Sequence, residues 1–134
     1  MATAAIPLSG RITGDELTMI RDSIMYPFML TMCERAKEDA QRSGRMFAPY
    51  FARLIELIMD DITRDLSAVR MEFRKRQIKV WDGNTIDGVL YYEYICRGYR
   101  DKFGVVREAL RSEIAIRLGQ YSARVLRTAR ERTC

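Results

Sequence analysis

Residues 49–76 carry the most regular apolar pattern of the chain. The apolar residues recur there at steps of three or four, namely Phe51, Leu54, Ile58, Ile62, Leu66, Val69 and Phe73. These steps place them on one side of a 3.6-residue helix, while charged residues occupy the other side. At about 1.5 Å per residue the helix is about 40 Å long. A helix with one apolar stripe needs neighbours to bury it, so the pattern predicts further helices along its length.

A helix is also predicted before this central one. Thr13 and Glu16 have the spacing of a capping box, which predicts a helix start at Thr13. Pro27 removes an amide donor, so we expect a kink or a restart near Tyr26. Gly44 is suited to the left-handed conformation that ends a helix. Residues 1–12 show no periodicity and are predicted to form a flexible arm.

Two more helices are predicted after the turn formers Asp82, Gly83 and Asn84. Residues 85–103 have apolar side chains at steps of three and four, and Gly104 then separates or kinks two helices. The last helix carries a stripe from Val106 to Val125 and is expected to fray beyond it. Short links between four helices predict an all-α fold, an antiparallel four-helix bundle over residues 13–122 with a kinked first helix. Residues 123–134 form a basic C-terminal tail.

Composition narrows the class of protein. A length of 134 residues suits one domain, and 48% hydrophobic with 31% charged residues is typical of a globular protein. No apolar run approaches the length of a membrane span, and the start lacks the features of a signal peptide. We therefore expect a cytoplasmic protein without membrane contact. Three cysteines without a CxxC pair argue against a disulfide framework or a zinc site.

The usual residues of catalysis are missing from the sequence. The chain has no histidine, which removes the commonest general base and metal ligand. It has no glycine-rich phosphate-binding loop. Carboxylates on the first two helices are conceivable magnesium ligands, but their spacing from arginines is typical of surface ion pairs. We predict that the protein is not an enzyme and holds no metal or cofactor.

Three stretches together resemble the YhjD-like family, small helical proteins of spore-forming bacteria. They are IMYPFMLTMCER at residues 24–35, RKRQIKV at 74–80 and YEYICRGY at 92–99. Their order and spacing agree with the family over residues 20–122. The resemblance implies a compact helical fold and carries no activity or binding residue. The arm before Thr13 and the arginines after Ser122 look like additions to the family pattern.

The tyrosines of the third predicted helix motivate the first functional hypothesis. A four-helix core needs fewer rings than this helix offers, and tyrosine is enriched at interfaces. We predict a non-enzymatic interaction module, a self-associating regulatory or adaptor protein that forms a homodimer and contacts a protein partner. The predicted interface residues are Tyr91, Tyr94 and Tyr99. The competing interpretation is that these rings are half-buried core residues.

Basic residues motivate two alternatives. The net charge is +5, and the segment from Arg117 onward accounts for +4 of it, through five arginines and one glutamate. One alternative is weak, non-specific nucleic-acid binding, although cations also favour a helix C-terminus when they bind nothing. Its contacts are Arg70, Arg74, Lys75, Arg76 and Lys79 with Arg124, Arg127, Arg130 and Arg132. The other alternative is a pocket for a small anionic ligand, anchored by Arg97 or Arg100.

Overall fold

The computed structural model describes residues 12–133 and shows three helices and a three-stranded antiparallel sheet in them. The elements are α1 (Gly14–Arg42), α2 (Ala48–Arg76), β1 (Ile78–Ile86), β2 (Val89–Cys96), β3 (Tyr99–Val106) and α3 (Arg107–Thr133). The prediction of an all-α four-helix bundle is therefore wrong, and so is the helical fold that the resemblance implied. The fold is α+β. The predicted arm lies outside the described residues, apart from Ile12.

The first helix begins where the capping box predicts. The Glu16 amide donates to the Thr13 hydroxyl at 3.2 Å, and the Thr13 amide donates to Glu16 Oε1 at 3.1 Å. The helix then runs unbroken through Pro27, so the restart expected near Tyr26 does not occur. Gly44 has φ +67° in the loop after α1, as predicted.

The apolar stripe of α2 forms the centre of the core. Ile62 is fully buried, and Ile58, Leu66 and Phe73 are nearly so, while Phe51 at the start of the stripe is 57% exposed. From α1, the buried side chains that belong to the same core include Ile20, Met25 and Met29. The predictions of a long central helix and of a helical neighbour are thus confirmed. The sheet and the last helix pack on these two helices.

Two tight hairpins replace the predicted third helix. Asp87 and Gly88 have φ +50° and +76°, and Arg97 and Gly98 have φ +48° and +92°. Each pair is a two-residue loop between antiparallel strands, with the two positive φ values of a type I′ turn. Between them, VLYYEYIC is rich in β-branched and aromatic residues, which favour a strand. A helix through this region would hold two interior glycines, each of which destabilises it.

The sheet packs one face on the helices. Strand order is β1-β2-β3, and residues of the inner face alternate with residues that point away from the core. The buried residues of the inner face are Ile78, Tyr94, Cys96 and Val105, and Val80, Leu90, Tyr92 and Phe103 are partly buried against the same core. The opposite face of the sheet carries the other side chains of each strand.

The last helix, α3, also packs its apolar side chains into the core. Its buried side chains are Leu110, Ile114, Tyr121 and Val125, which belong to the predicted stripe. Val106, predicted to begin that stripe, instead ends β3 and is 52% exposed. The helix does not fray after Val125 but continues to Thr133, through the segment predicted as a basic tail. Across residues 12–133, no helix has the length and apolar character needed to cross a membrane.

Candidate functional site

The face of the sheet that points away from the helices is the best candidate for a binding surface, and we call it the outer face. Cross-strand pairing arranges its residues in rows. One end is charged and the other is apolar. Its side chains are Lys79, Trp81, Ile86, Val89, Tyr91, Glu93, Ile95, Arg100, Lys102 and Val106.

The apolar half of the outer face lies next to the Asp87-Gly88 turn. Val89 pairs with Ile86 on one side and with Val106 on the other, which makes a row of three aliphatic side chains. Ile86 is 54% exposed and Val106 is 52% exposed. Tyr91 lies in the next row and is 37% exposed. Four apolar side chains are therefore contiguous on this part of the surface.

Two glycines set the position of Tyr91. A Cβ atom at Gly104 would lie 3.2 Å from Cε1 of the Tyr91 ring, so the ring leans over β3 where there is no side chain. A Cβ atom at Gly83 would lie 2.8 Å from the Tyr91 carbonyl oxygen, which is too close for any other residue. The ring lies over a position without a side chain and is 37% exposed, so Tyr91 offers apolar surface to a partner.

The charged half of the outer face centres on Trp81. The indole Nε1 donates to a Glu93 carboxylate oxygen at 3.0 Å, and the Arg100 guanidinium carbon lies 5.8 Å from the ring centroid. The second distance is within the range of a cation–π contact. With Lys79 and Lys102, this half carries three cations and one carboxylate. Its local charge is therefore positive.

A buried ion cluster lies behind the sheet, around Glu16. Arg97 donates two hydrogen bonds to its carboxylate, at 2.8 and 2.9 Å, and Arg76 Nη1 lies 3.4 Å away. Glu16 is 0% exposed and Arg76 is 4% exposed. The hydrogen bonds from Arg97 are the main reason that the pKa of Glu16 falls from 4.5 to about 2. The cluster joins the start of α1, the end of α2 and the β2–β3 turn, so its evident role is structural.

A second polar cluster joins α3 to the other helices. Arg117 donates to Asp22 at 2.8 Å and to Glu113 at 3.3 Å. The Tyr121 hydroxyl donates to the Asp65 carboxylate. Burial, and then this hydrogen bond, raise the pKa of Tyr121 far above its usual value. These contacts hold α3 in place.

The structure separates the three predicted interface tyrosines. Tyr91 is on the outer face, and Tyr99 is 56% exposed at the start of β3. Tyr94 is 5% exposed and belongs to the core, so we remove it from the proposed interface. Trp81, Val106 and Lys102 belong to the outer face and were missed. The sequence signal that locates them is the Asp87-Gly88 pair between two apolar strands, which is typical of a β-hairpin.

The predicted basic cluster is also divided. Arg74 and Lys75 are exposed at the end of α2, and Lys79 is on the outer face. Arg70 lines a groove between α1, α2 and the sheet. Arg76 is buried against Glu16, and Arg97 is held by the same carboxylate, so neither is placed to anchor an external anion. Arg100, the other proposed anchor, contacts Trp81.

The C-terminal arginines occupy the end of α3. Arg124, Arg127 and Arg130 are exposed, and the Arg124 guanidinium carbon lies 5.1 Å from the Tyr121 ring centroid. The side chain of Arg132 lies outside the described part of the structure. Asp65, which accepts the hydrogen bond of Tyr121, is about three turns before the end of α2, so this region is separate from the outer face.

In residues 12–133 no three cysteine, aspartate or glutamate side chains come together in a way that would hold a metal ion.

Comparison with known proteins places the chain in a family. No curated protein and no solved structure matches the sequence significantly. The sequence model of one family, described as YhjD protein, matches residues 11–126. This is the family that the three stretches resemble, and the match covers most of the chain. The chain therefore belongs to the YhjD family.

Proposed function

We propose that this protein is a non-enzymatic interaction module that forms a homodimer through the apolar half of its outer face. The observation that supports it is the contiguous surface of Ile86, Val89, Tyr91 and Val106, which no element of residues 12–133 covers. Aromatic anchors in an apolar patch are typical of interface centres. A regulatory or adaptor role in the cytoplasm is part of the same proposal.

The distribution of charge on the outer face favours a second copy as the partner. In a two-fold dimer the same patch meets itself. If the axis crosses the strands between the row of Val89 and the row of Tyr91, the apolar halves face each other and the two charged halves extend beyond the contact at opposite ends. Lys79, Arg100 and Lys102 of one copy then stay away from those of the other. Packing over the whole face about an axis parallel to the strands would instead superpose like charges, which destabilises a complex.

The area of the apolar patch determines the affinity that we expect for the homodimer. Four side chains bury less than the area of about 800 Å² per partner in a standard stable interface. We therefore expect a dissociation constant in the micromolar range, which is typical of a reversible, regulated assembly.

Sedimentation velocity between about 5 and 500 µM tests the dimer, since this range brackets a micromolar constant. We expect the weight-average mass to rise with concentration, and Val106→Lys to abolish the rise. The matched control is Ile116→Lys, because Ile116 is 57% exposed on α3 whereas Val106 is 52% exposed on the outer face. A wild-type protein that stays monomeric, or two variants that behave alike, would exclude this interface.

Weak nucleic-acid binding is a second candidate function. It is favoured by the exposed Arg124, Arg127 and Arg130, which recur every three residues on α3. Guanidinium groups displace counterions from a duplex without reading its sequence. Few aromatic side chains accompany them, so we expect no preference for single strands. The salt dependence of binding, treated below, tests this candidate separately from dimerisation.

A further inference from the structure

A groove of about 640 Å³ lies between α1, the end of α2 and the inner side of β1. Its apolar walls include Phe28 of α1, Phe73 of α2 and Leu90 of β2. Arg70 and Asp82 supply one charge of each sign. The volume is within the range of ligand sites, and Phe28 is 42% exposed although it borders a concave surface. The groove is therefore an amphipathic site that the packing of residues 12–133 leaves open.

The backbone of β1 forms one side of this groove. The Arg97 amide donates to the Gln77 carbonyl at 3.0 Å, which fixes the phase of the antiparallel ladder. Alternate residues exchange hydrogen bonds with the neighbouring strand, so Lys79 and Trp81 bond to β2. The amide and carbonyl of Val80 and Asp82 then point to the open edge. Within the described chain, no backbone group from another element pairs with this edge.

The β3 edge of the sheet is more charged than the β1 edge, although β1 carries a register shift between Asp82 and Thr85 that interrupts its regular ladder. β3 carries Arg100, Asp101 and Lys102 in succession, and charged side chains are a common device against edge pairing. Residues 80–85 of β1 carry one charged side chain, that of Asp82, and they border the groove at Val80, Asp82 and Thr85. The less charged edge is therefore the one that faces a cavity.

We propose that this groove binds an extended peptide of a partner protein, which pairs with β1 as a fourth strand. The regular part of β1, residues 78–82, lies before the register shift and corresponds to about 17 Å of strand, with the amides of Val80 and Asp82 directed outward. Alternate side chains of the peptide enter the groove, so they are apolar where they meet Phe28, Phe73 and Leu90. An acidic side chain of the peptide meets Arg70, and a basic one meets Asp82.

This inference goes beyond the proposed function, because it concerns a second surface and a different partner. The probe is a random dodecamer peptide library displayed on phage, and the enriched sequences are then made as labelled synthetic peptides. The full-length protein is the target, and Phe28→Asp is the counter-target because Phe28 is exposed enough to tolerate the change. We expect enriched peptides that alternate apolar and polar residues and carry a carboxylate. No enrichment over the counter-target overturns the proposal.

Two comparisons separate strand addition from simple filling of the groove. In the first, Asp82→Pro is compared with Asp82→Ala, since both remove the carboxylate and only proline removes the outward amide. Proline is tolerated at an edge position whose amide has no partner. We expect fluorescence anisotropy to show about tenfold weaker peptide binding for the proline variant than for the alanine variant.

In the second comparison, the protein stays unchanged and the peptide is N-methylated at the residues that face β1. The methyl groups keep the side chains and remove the paired amides, so we expect affinity to fall by about tenfold or more. This test decides the matter if Asp82→Pro fails to fold. Equal binding of the methylated peptide would show that side chains alone hold it, and would overturn strand addition. Val106→Lys should bind the peptide normally, so failure of the dimer leaves this result unaffected.

Discussion

Replacing Glu16 with glutamine is the sharpest test of the fold. The carboxylate is fully buried and accepts hydrogen bonds from Arg97 and from the Thr13 amide, with Arg76 beside it. Glutamine has nearly the same shape, but it is uncharged and its amide group is a donor that faces donors. Arg97 would then lack its buried counter-charge, while Arg76 would keep only Glu72, whose carboxylate its Nε contacts at 3.1 Å. Removing one partner of a buried ion pair is strongly destabilising.

The size of the effect follows from the pKa. The pKa of Glu16 falls from 4.5 to about 2 in the folded protein, and each unit corresponds to about 1.4 kcal/mol. The charge therefore stabilises the fold by about 3 kcal/mol at neutral pH. Because the folded pKa is the lower one, this stabilisation is complete above pH 4.5 and is lost as the pH falls towards about 2. Such a loss is a large fraction of the total stability of a small domain.

Urea unfolding followed by circular dichroism measures the difference. We expect Glu16→Gln to lose about 3 kcal/mol of unfolding free energy at neutral pH, and the deficit to shrink below pH 4.5. The control is Glu56→Gln, because Glu56 is 45% exposed and pairs with Arg53 at 3.7 Å on the surface of α2. It should change stability by less than about 1 kcal/mol. A Glu16→Gln variant as stable as wild type, or a deficit independent of pH, would refute the account of the cluster.

Three other predictions concern the core, α3 and the arginines. Ile62→Asp should unfold the protein, because a charge without a partner would replace a fully buried side chain; wild-type helicity and melting temperature would contradict this. Tyr121→Phe should lower the unfolding free energy by about 1–3 kcal/mol, since Asp65 loses its donor, and a calorimetric melt unchanged from wild type would count against it. Replacing three arginines with glutamine should reduce the slope of log affinity against log salt on duplex DNA by about 2.7, and an unchanged slope would move the contacts elsewhere. The three are Arg124, Arg127 and Arg130.

The sequence predicts the helices of this protein well and its sheet not at all. The stripe of α2 and the capping box of α1 are local signals, and the structure keeps both. In residues 89–103 both faces of the strands carry apolar residues, because Tyr91 and Ile95 alternate with Tyr92 and Tyr94. Such a mixture contains apolar residues at steps of three and four by chance, so periodicity alone favours a helix. The turn residues Asp87-Gly88 carry the information that the period does not.

The mistaken helical period also explains why the predicted interface tyrosines do not lie together in the structure. Residues three apart lie on one side of a helix but on opposite faces of a strand. Tyr91 and Tyr94 were grouped as surplus rings of one predicted helix, and the strand sends Tyr91 outward and Tyr94 into the core. Trp81 and Val106 join Tyr91 only through the register of β1, β2 and β3, which brings together residues far apart in the sequence. No local pattern reports such a register.

The cluster around Glu16 also has a consequence for the rate of unfolding. Glu16 meets Arg76 across 60 residues and Arg97 across 81, whereas the helix pair and the two β-hairpins are each formed from neighbours in the sequence. Contacts between such distant residues require the intervening chain to be ordered first, so we expect this cluster to form after the transition state of folding. Interactions absent from that transition state slow unfolding without accelerating folding. The buried carboxylate thus governs how long each folded molecule persists, and with it the resistance of the fold to proteolysis when cleavage outpaces refolding.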